Sequence, residues 1–232
     1  MSLYRSLALS DHWFSRWARR TYRGMMAFSV PAPQSVVKPV LILCIVIRNV
    51  YYYTARVFFF EPVFKAQCTR YGRRLRVGPH WQWVQGDGQL ILGDDVVIDG
   101  ACGFFFAARY SESPALTIGD KTGIGHECTF VVGKSITIGR DCRIAAGVIM
   151  LDSPGHPLDP EKRRAGLPAN VEDVRPIVIG DNVWIGTRAI IFPGVTIGDN
   201  SVVALGAVVM SNVPANVVVA GNPARQVSTV TK

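Results

Sequence analysis

The chain has 232 residues, is 49% hydrophobic and carries a net charge of +8, which allows one main folded domain with an appendage. The charge is uneven: residues 1–78 carry +11, whereas residues 79–232 carry −3. The basic patch therefore belongs to the N-terminal segment, and since no nucleic-acid reader motif accompanies it, nucleic acid is excluded as a partner.

The first predicted element is a helix over residues 10–24, capped by Ser10. It places Trp13 and Trp17 one turn apart. Its charge comes from four arginines: Arg16, Arg19, Arg20 and Arg23. A helix with aromatic and cationic residues suits an anionic membrane surface.

An apolar segment follows at residues 39–47, and residues 51–60 add three tyrosines and three phenylalanines. Nine apolar residues are too few to span a bilayer, which needs about 20. We therefore predict a monotopic or re-entrant anchor within residues 1–78; the alternative is a helical pair packed on the rest of the protein or on a neighbouring subunit. The apolar stretch starts too late for a cleaved signal peptide.

Aliphatic-glycine pairs then recur through the rest of the chain, four of the five followed by an acidic residue. They are Leu92-Gly93, Ile118-Gly119, Ile138-Gly139, Ile179-Gly180 and Ile197-Gly198. From Ile179 to Val209 an aliphatic residue falls at every sixth position, and a small or β-branched residue follows each one by four. This hexapeptide period, three per turn, predicts an all-β fold, a parallel β-helix over residues 79–227 followed by a tail at 228–232.

The spacing of the pairs locates the insertions. Successive gaps are 26, 20, 41 and 18 residues, against 18 for one regular coil. The gap of 41 predicts one large loop, 152–174, and such insertions commonly build the binding face of a solenoid.

The cysteines are predicted to be structural. Cys102, Cys128 and Cys142 each fall four residues after an aliphatic marker, an inward position of the coil, and no metal-ligand spacing occurs. No metal is expected, and the cysteine use favours a reducing compartment.

His156 is the best chemical candidate because it opens the long loop between Gly155 and Pro157. Asp152 and Asp159 are near enough in sequence to orient or polarise its ring.

Several motifs resemble those of the hexapeptide-repeat O-acetyltransferases, over residues 90–227. They are the segments at 155–160, 176–186, 193–200 and 220–225, with Arg163, Arg164 and Gly166. The most similar members are the galactoside, maltose and nodulation-factor acetyltransferases and their polysaccharide-biosynthesis relatives. The resemblance implies a left-handed β-helix, a homotrimer with active sites between subunits, and acetyl-coenzyme A as donor.

The resemblance also implies roles for single residues. His156 would be the general base that takes a proton from the acceptor hydroxyl. Trp184, Thr187 and Leu205 would border the pantetheine channel. Asn222 and Arg225 would lie near the nucleotide end.

The sequence departs from the family in two places. Met210-Ser211 stands where a Thr-Lys pair near the coenzyme is usual. Gly125-His126-Glu127-Cys128 lacks the usual acceptor-binding Asn, so His126 could replace it or remain an exposed corner residue, and Asp152 is a second candidate for acceptor contact.

The sequence thus predicts an O-acetyltransferase of a saccharide or lipid-linked sugar in surface polysaccharide or glycolipid assembly, in the cytoplasm at the inner membrane face. One alternative is an N-acetyltransferase of an amino sugar or antibiotic. Another is a non-catalytic scaffold trimer. A three-histidine zinc enzyme on the same solenoid is disfavoured, because only four histidines occur and two of them precede residue 81.

Overall fold

A computed structural model describes residues 12–230 of the chain. It divides into two compact units, Met1–Asn49 and Val50–Lys232. The helices are α1 (Trp13–Ala27), α2 (Gln34–Ala55), α3 (Glu61–Lys65) and α4 (Pro160–Arg164), with a π-helical turn at Arg56–Phe60 and a 3-10 turn at Val171–Asp173.

The first predicted helix exists as α1, but its boundaries differ from the prediction. The helix is capped by His12, whose Nδ1 accepts a hydrogen bond from the Phe14 N–H at 3.4 Å. The predicted cap, Ser10, lies outside the described residues. Trp13 and Trp17 are both exposed, one turn apart, and Phe14 lies between them with its ring 5.9 Å from that of Trp17.

The second helix is longer than the nine-residue apolar run suggested. Helix α2, the π-helical turn and α3 form one continuous helix over Gln34–Lys65, whose most apolar 18-residue window has a mean hydropathy of 1.5 and no buried residue. By length and composition it could cross a membrane. The expectation that the segment is too short to span therefore needs correcting, since the helix continues through Arg48 and the tyrosines.

Within residues 12–230 the β-structure consists of nineteen short strands. They are β1 (Arg76–Val77), β2 (Trp83–Gln85), β3 (Gln89–Leu92), β4 (Val97–Ile98), β5 (Gly103–Phe106), β6 (Ala115–Ile118), β7 (Gly123–Ile124), β8 (Thr129–Val132), β9 (Ser135–Ile138), β10 (Arg143–Ile144), β11 (Ile149–Leu151), β12 (Ile177–Ile179), β13 (Trp184–Ile185), β14 (Ile190–Ile191), β15 (Thr196–Ile197), β16 (Val202–Val203), β17 (Val208–Val209), β18 (Val217–Ala220) and β19 (Arg225–Thr229).

The strands form three parallel sheets, and each coil contributes one strand to each sheet. Sheet 1 has the order β1-β4-β7-β10-β13-β16-β18, closed by antiparallel β19. Sheet 2 is β2-β5-β8-β11-β14-β17, and sheet 3 is β3-β6-β9-β12-β15. The parallel β-helix is thus confirmed, while its left hand stays a prediction from the resemblance.

The register follows the spacing of the aliphatic-glycine pairs. Leu92 pairs with Ile118, Ile118 with Ile138, Ile138 with Ile179 and Ile179 with Ile197. All six hexapeptide markers from Ile179 to Val209 are buried, as are the small residues four positions after them. Because the inward residues recur at the same position in each coil, aliphatic side chains stack on one another along the core.

The corner between sheets 3 and 1 explains the acid that follows most of the glycines. The carboxylate of Asp199 accepts the backbone N–H of Asp181 in the coil before it, at 2.8 Å, and Asp120 accepts that of Asp94 at 2.7 Å. A Cβ on Gly180 would lie 2.1 Å from the Asp199 carboxylate, so only glycine leaves room for this bond. Arg140 replaces the acid once, and its Nε donates to Asp181 at 3.0 Å.

The β-helix begins earlier than the predicted boundary at residue 79. Arg70 already bridges to Ile91, and Leu75 and Val77 are buried in the core. Phe64 of α3 is 1% exposed, and its ring lies 5.7 Å from that of Phe104. Helix α3 therefore closes the N-terminal end of the core, a covering that solenoid ends require.

The predicted long loop lies between β11 and β12, so it leaves the corner between sheets 2 and 3. The loop contains α4 and the 3-10 turn. Ala169 and Val174 are buried, which holds its C-terminal half against the coils. The excursion is thus a folded part of the domain.

Candidate active site

His156 is exposed at the start of the long loop, and its chain neighbours fix the backbone around it. Gly155 has a positive φ of 79°, a conformation that favours glycine, and its N–H donates to the Ser153 hydroxyl at 3.2 Å. Pro157 is buried. The imidazole is therefore presented to solvent from a constrained turn.

Arg163 holds the backbone that follows His156. Its Nη1 donates to the carbonyl oxygens of Pro157 and Leu158, both at 2.9 Å. The arginine is placed by α4, which begins with the Asp159-Pro160 pair. The Asp159 carboxylate caps that helix by accepting the N–H groups of Glu161 and Lys162, and these bonds lower the pKa of Asp159.

Asp152 supports the base of the loop. It is fully buried, and its two carboxylate oxygens accept the N–H groups of Gly133 at 2.6 Å and Lys134 at 2.7 Å. Burial raises the pKa of the Asp152 carboxyl, and these backbone bonds oppose that rise. The predicted contact of Asp152 with an acceptor therefore needs correcting, because a fully buried side chain already bonded to the backbone cannot meet a sugar.

The residues predicted to meet the coenzyme lie mainly along a different corner, between sheets 1 and 2. Ile124, Ile144, Ile185 and Val203 pair in register through successive coils. The residues two positions after these therefore lie above one another along the corner. We call this set the corner column: His126, Ala146, Thr187 and Leu205. Three of its four members were thus singled out from the sequence.

The corner column presents unused backbone groups. The N–H and C=O of Leu205 have no hydrogen-bond partner among residues 12–230, whereas the Thr187 carbonyl is taken by the Gly206 N–H at 2.8 Å. The Leu205 backbone is therefore able to hydrogen-bond an amide-rich ligand, and its role toward the coenzyme stays a prediction. Trp184 lies three residues before Thr187, with its side chain exposed on sheet 1 between Arg143 and Val202.

Asn222 follows β18, Arg225 is the first residue of β19, and both are exposed. Asn222 lies just after Gly221, the residue that aligns with Leu205 through the pairing of Val203 with Val219. The Arg225 guanidinium donates to the Ala224 carbonyl at 2.9 Å and keeps its other N–H groups exposed. Both residues thus extend the corner column toward the C-terminus, while Met210 and Ser211 on the corner between sheets 2 and 3 supply no cation.

One chain does not bring all of these residues together. The loop that carries His156 starts at the corner between sheets 2 and 3, whereas Thr187 and Leu205 occupy the corner between sheets 1 and 2. The loop base and the corner column are separated by the width of sheet 2.

Two functional features escaped the sequence. Arg163 was noted only as part of a motif, because its bonds to the Pro157 and Leu158 carbonyls depend on the fold of the loop. Gly100 makes room for His126: a Cβ there would lie 2.6 Å from His126 Nδ1. Gly100 and His126 are 26 residues apart, the same spacing as Leu92 and Ile118, and this spacing could have revealed that they are neighbours in successive coils.

The cysteines behave as core residues. The Sγ atoms of Cys102, Cys128 and Cys142 lie 3.1–3.2 Å from backbone carbonyl oxygens of the next coil. Burial raises the pKa of Cys142, and it raises that of Cys68 to about 12, which leaves both as thiols. Within residues 12–230 no group of three or more His, Cys, Asp or Glu side chains could hold a metal ion.

Comparison with known proteins agrees with the repeat. Residues 115–151 and 176–211 match the family described as the hexapeptide repeat of succinyl-transferase. These two segments are similar to the hexapeptide-repeat family. The resemblance predicted from the chain's motifs is confirmed.

The chain is also similar to named acetyltransferases. It is 41% identical over 116 residues to the galactoside O-acetyltransferase of Escherichia coli, covering 50% of this chain and 55% of that one. A galactoside acetyltransferase solved with coenzyme A is 28% identical with a TM-score of 0.52, covering 77% of this chain and 76% of the other. An acetyltransferase of Vibrio cholerae solved with acetyl-coenzyme A is 26% identical with a TM-score of 0.52, covering 78% and 83%. The chain spans about half the length of the curated relatives it matches.

Proposed function

We propose that the protein is an acetyl-coenzyme A-dependent O-acetyltransferase whose acceptor is a saccharide or a lipid-linked sugar. The observation that carries the proposal is the exposed His156, held on a pinned loop of a β-helix that is similar to acetyltransferases solved with coenzyme A and acetyl-coenzyme A. No other histidine has this setting: His126 and His80 are on short corners and His12 caps a helix.

His156 acts as a general base in this proposal. A ring nitrogen takes the proton of the acceptor hydroxyl while that oxygen attacks the thioester carbonyl carbon. The tetrahedral intermediate collapses as the C–S bond breaks, and the protonated imidazole returns its proton to the coenzyme A thiolate. The new ester forms without an acyl-enzyme, in keeping with the buried thiols of the β-helix cysteines Cys102, Cys128 and Cys142.

The corner column holds the donor. Leu205 offers its free N–H and C=O to the pantetheine amides, and the exposed faces of Trp184 and Thr187 border the arm. Arg225 and Asn222 lie toward the phosphates, where the guanidinium N–H groups left free by Ala224 can pair with an anion. Because Met210 and Ser211 stand where a Thr-Lys pair is usual and supply no cation, Arg225 carries more of that recognition.

The complete site is built by two subunits. Since the loop of His156 and the corner column occupy different corners of one chain, a loop from one subunit must meet the corner column of another. A homotrimer supplies three such contacts between a loop and a corner column, and it agrees with the resemblance.

The acceptor binds on the N-terminal side of the donor. His126 belongs to the corner column two coils before Thr187 and is exposed, so it can hydrogen-bond a sugar hydroxyl in place of the usual Asn. Gly100 keeps the space beneath its ring. We assign His126 to acceptor binding on these grounds.

The acceptor's setting is the cytoplasmic face of a membrane, in surface polysaccharide or glycolipid assembly. Support comes from the exposed apolar helix Gln34–Lys65 and from α1, which carries Trp13 and Trp17 beside the arginines that line one cleft, Arg16, Arg19, Arg20 and Arg23. Both elements fit a lipid interface.

The proposal is tested by supplying acetyl-coenzyme A with hydroxyl and amino acceptors side by side. Products are followed by mass spectrometry and by release of free coenzyme A thiol. An ester product that is absent in His156→Ala supports the proposal. An amide product alone would favour the N-acetyltransferase, and no transfer with no coenzyme binding would favour a scaffold.

A further inference from the structure

The end of the β-helix closed by α3 exposes large aromatic side chains. Phe58 is 78% exposed and Phe59 51%, both in the π-helical turn before α3, while Trp81 and Trp83 of the first coil are 47% and 56% exposed. The ring of Phe59 lies 6.4 Å from that of Trp81. We call these four residues the end patch.

The outward direction of the two tryptophans is fixed by the residue between them. Gln82 is buried, donates from Nε2 to the Gly100 carbonyl at 2.8 Å and accepts the Cys102 N–H at 2.9 Å. Because side chains alternate along a strand, this anchoring turns Trp81 and Trp83 to the outside. A terminal coil that meets water needs a polar outer face, and this one is aromatic.

Charge at this end also differs from the rest of the β-helix. Residues 50–86 contain six Lys and Arg against Glu61 alone, a balance of +5, whereas residues 87–232 carry −3. Arg56 lies over the Tyr53 ring at 5.3 Å. Exposed aromatics interleaved with arginine, at a cationic end, match the head-group region of an anionic bilayer.

Connectivity points to the same partner. Two residues of the end patch, Phe58 and Phe59, lie in the π-helical turn. That turn is part of the continuous apolar helix that begins at Gln34. We propose that the end patch is a membrane-docking surface, through which the first coil of the β-helix itself rests on anionic lipid head groups.

The docking would set the height of the active site. The loop of His156 leaves β11, three coils beyond Trp83 in sheet 2, or about 14 Å at about 4.8 Å per coil. A reacting hydroxyl at that height suits a sugar joined to its lipid through a phosphate-containing linkage. This consequence rests on the proposed function, whereas the docking itself does not.

The test uses depth-dependent quenching of tryptophan in the full chain. The chain has five tryptophans, so Trp13→Phe, Trp17→Phe and Trp184→Phe together leave the two in the end patch. The matched control replaces Trp13, Trp17, Trp81 and Trp83 by Phe and leaves Trp184. Each protein is mixed with phosphatidylcholine–phosphatidylglycerol vesicles containing lipids brominated at shallow or deep chain positions. Acetyl-coenzyme A binding is titrated separately in vesicle preparations of the unsubstituted chain, which keeps Trp184.

We expect lipids brominated at shallow chain positions to quench the fluorescence of Trp81 and Trp83 most strongly. The fluorescence of Trp184 should be unchanged by the brominated lipids. A vesicle-bound protein whose Trp81 and Trp83 are not quenched overturns the docking but leaves the helical anchor. A protein that ignores vesicles overturns both. Loss of the oligomer in Trp81→Ser/Trp83→Ser, seen by light scattering, would instead show a contact between copies. Failure of acetyl-coenzyme A binding in vesicle-bound protein refutes the proposed function alone.

Discussion

His156 differs from the other histidines of the chain in its setting. The loop turn holds it, Gly155 and Pro157 constrain it, and no described side chain hydrogen-bonds to it. We expect His156→Ala to lower kcat by at least about 100-fold, the usual contribution of a positioned general base.

Thermal stability should be nearly unchanged in that variant, because the side chain is exposed. Near-normal turnover would remove His156 from the mechanism, and an unfolded variant would show it to be structural. The paired measurements are steady-state kinetics and a thermal melt.

Arg163 is a positioning residue, since it acts through the two carbonyls after His156. Arg163→Ala should lower kcat by about 10- to 100-fold with a smaller effect on KM, because a small displacement of the base is costly. Arg163→Lys should recover part of kcat, as an ammonium can still donate to a carbonyl. Arg164→Ala is the matched control, since the neighbouring Arg164 makes no described hydrogen bond, and equal kinetics for both alanine variants would contradict the assignment.

Asp152 should matter to stability first. In Asp152→Asn one backbone N–H, of Gly133 or Lys134, faces an amide NH₂ and loses its acceptor. The expected loss in the free energy of unfolding is about 1–3 kcal/mol. Chemical denaturation measures it, and a change within the error of the extrapolation would refute the role at the loop base.

At the scale of elements, the sequence predicted the coils well and the N-terminal end poorly. The register could be counted because the aliphatic-glycine pairs mark each coil, and the gap of 41 residues located the loop. Neither α3 nor β1 carries that marker. Phe64 and Leu75 reach the core through tertiary contacts that no period reveals, so the boundary was placed too late.

The position of α3 yields a stability prediction. Phe64→Ala should lower the free energy of unfolding by about 3–5 kcal/mol, since it removes a buried ring packed on Phe104. Phe58→Ala is the control, and its exposed ring predicts a change within about 0.5 kcal/mol. Equal effects of the two variants in detergent would contradict the closing role of α3.

The same packing bears on truncation. The boundary predicted at residue 79 implies that a fragment of residues 79–232 is soluble and trimeric, because the predicted coils lie within it. It lacks Phe64, Leu75 and Val77, which belong to the core, so the cut would expose Phe104 and the second coil. Such a fragment should aggregate.

For the whole molecule, the asymmetry of charge gives a salt-dependent prediction. The full chain should sediment with anionic liposomes, and the cationic part of that attraction should weaken as salt rises because ions screen it. Neutral liposomes are the control for apolar insertion. A full chain that stays soluble without detergent and ignores anionic liposomes at low salt would contradict the membrane contact and favour packing of the aromatics on protein.

The candidate site was predictable in its parts but not in its assembly. His156, Thr187 and Leu205 could be named from motifs, because the corner position repeats with each coil. Their separation on two corners could not be read from spacing, since it depends on which corner the loop leaves. That separation is the reason for proposing that a second subunit completes the site.

The central claim is that this β-helix binds and uses acetyl-coenzyme A, and calorimetric titration of the full chain with acetyl-coenzyme A tests it most directly. The account predicts saturable heat with one site per chain, retained in His156→Ala and weakened in Arg225→Ala, since we propose that this guanidinium pairs with the phosphates. A titration that gives no heat, with the oligomer intact, would contradict the account and leave a β-helix that serves as a scaffold.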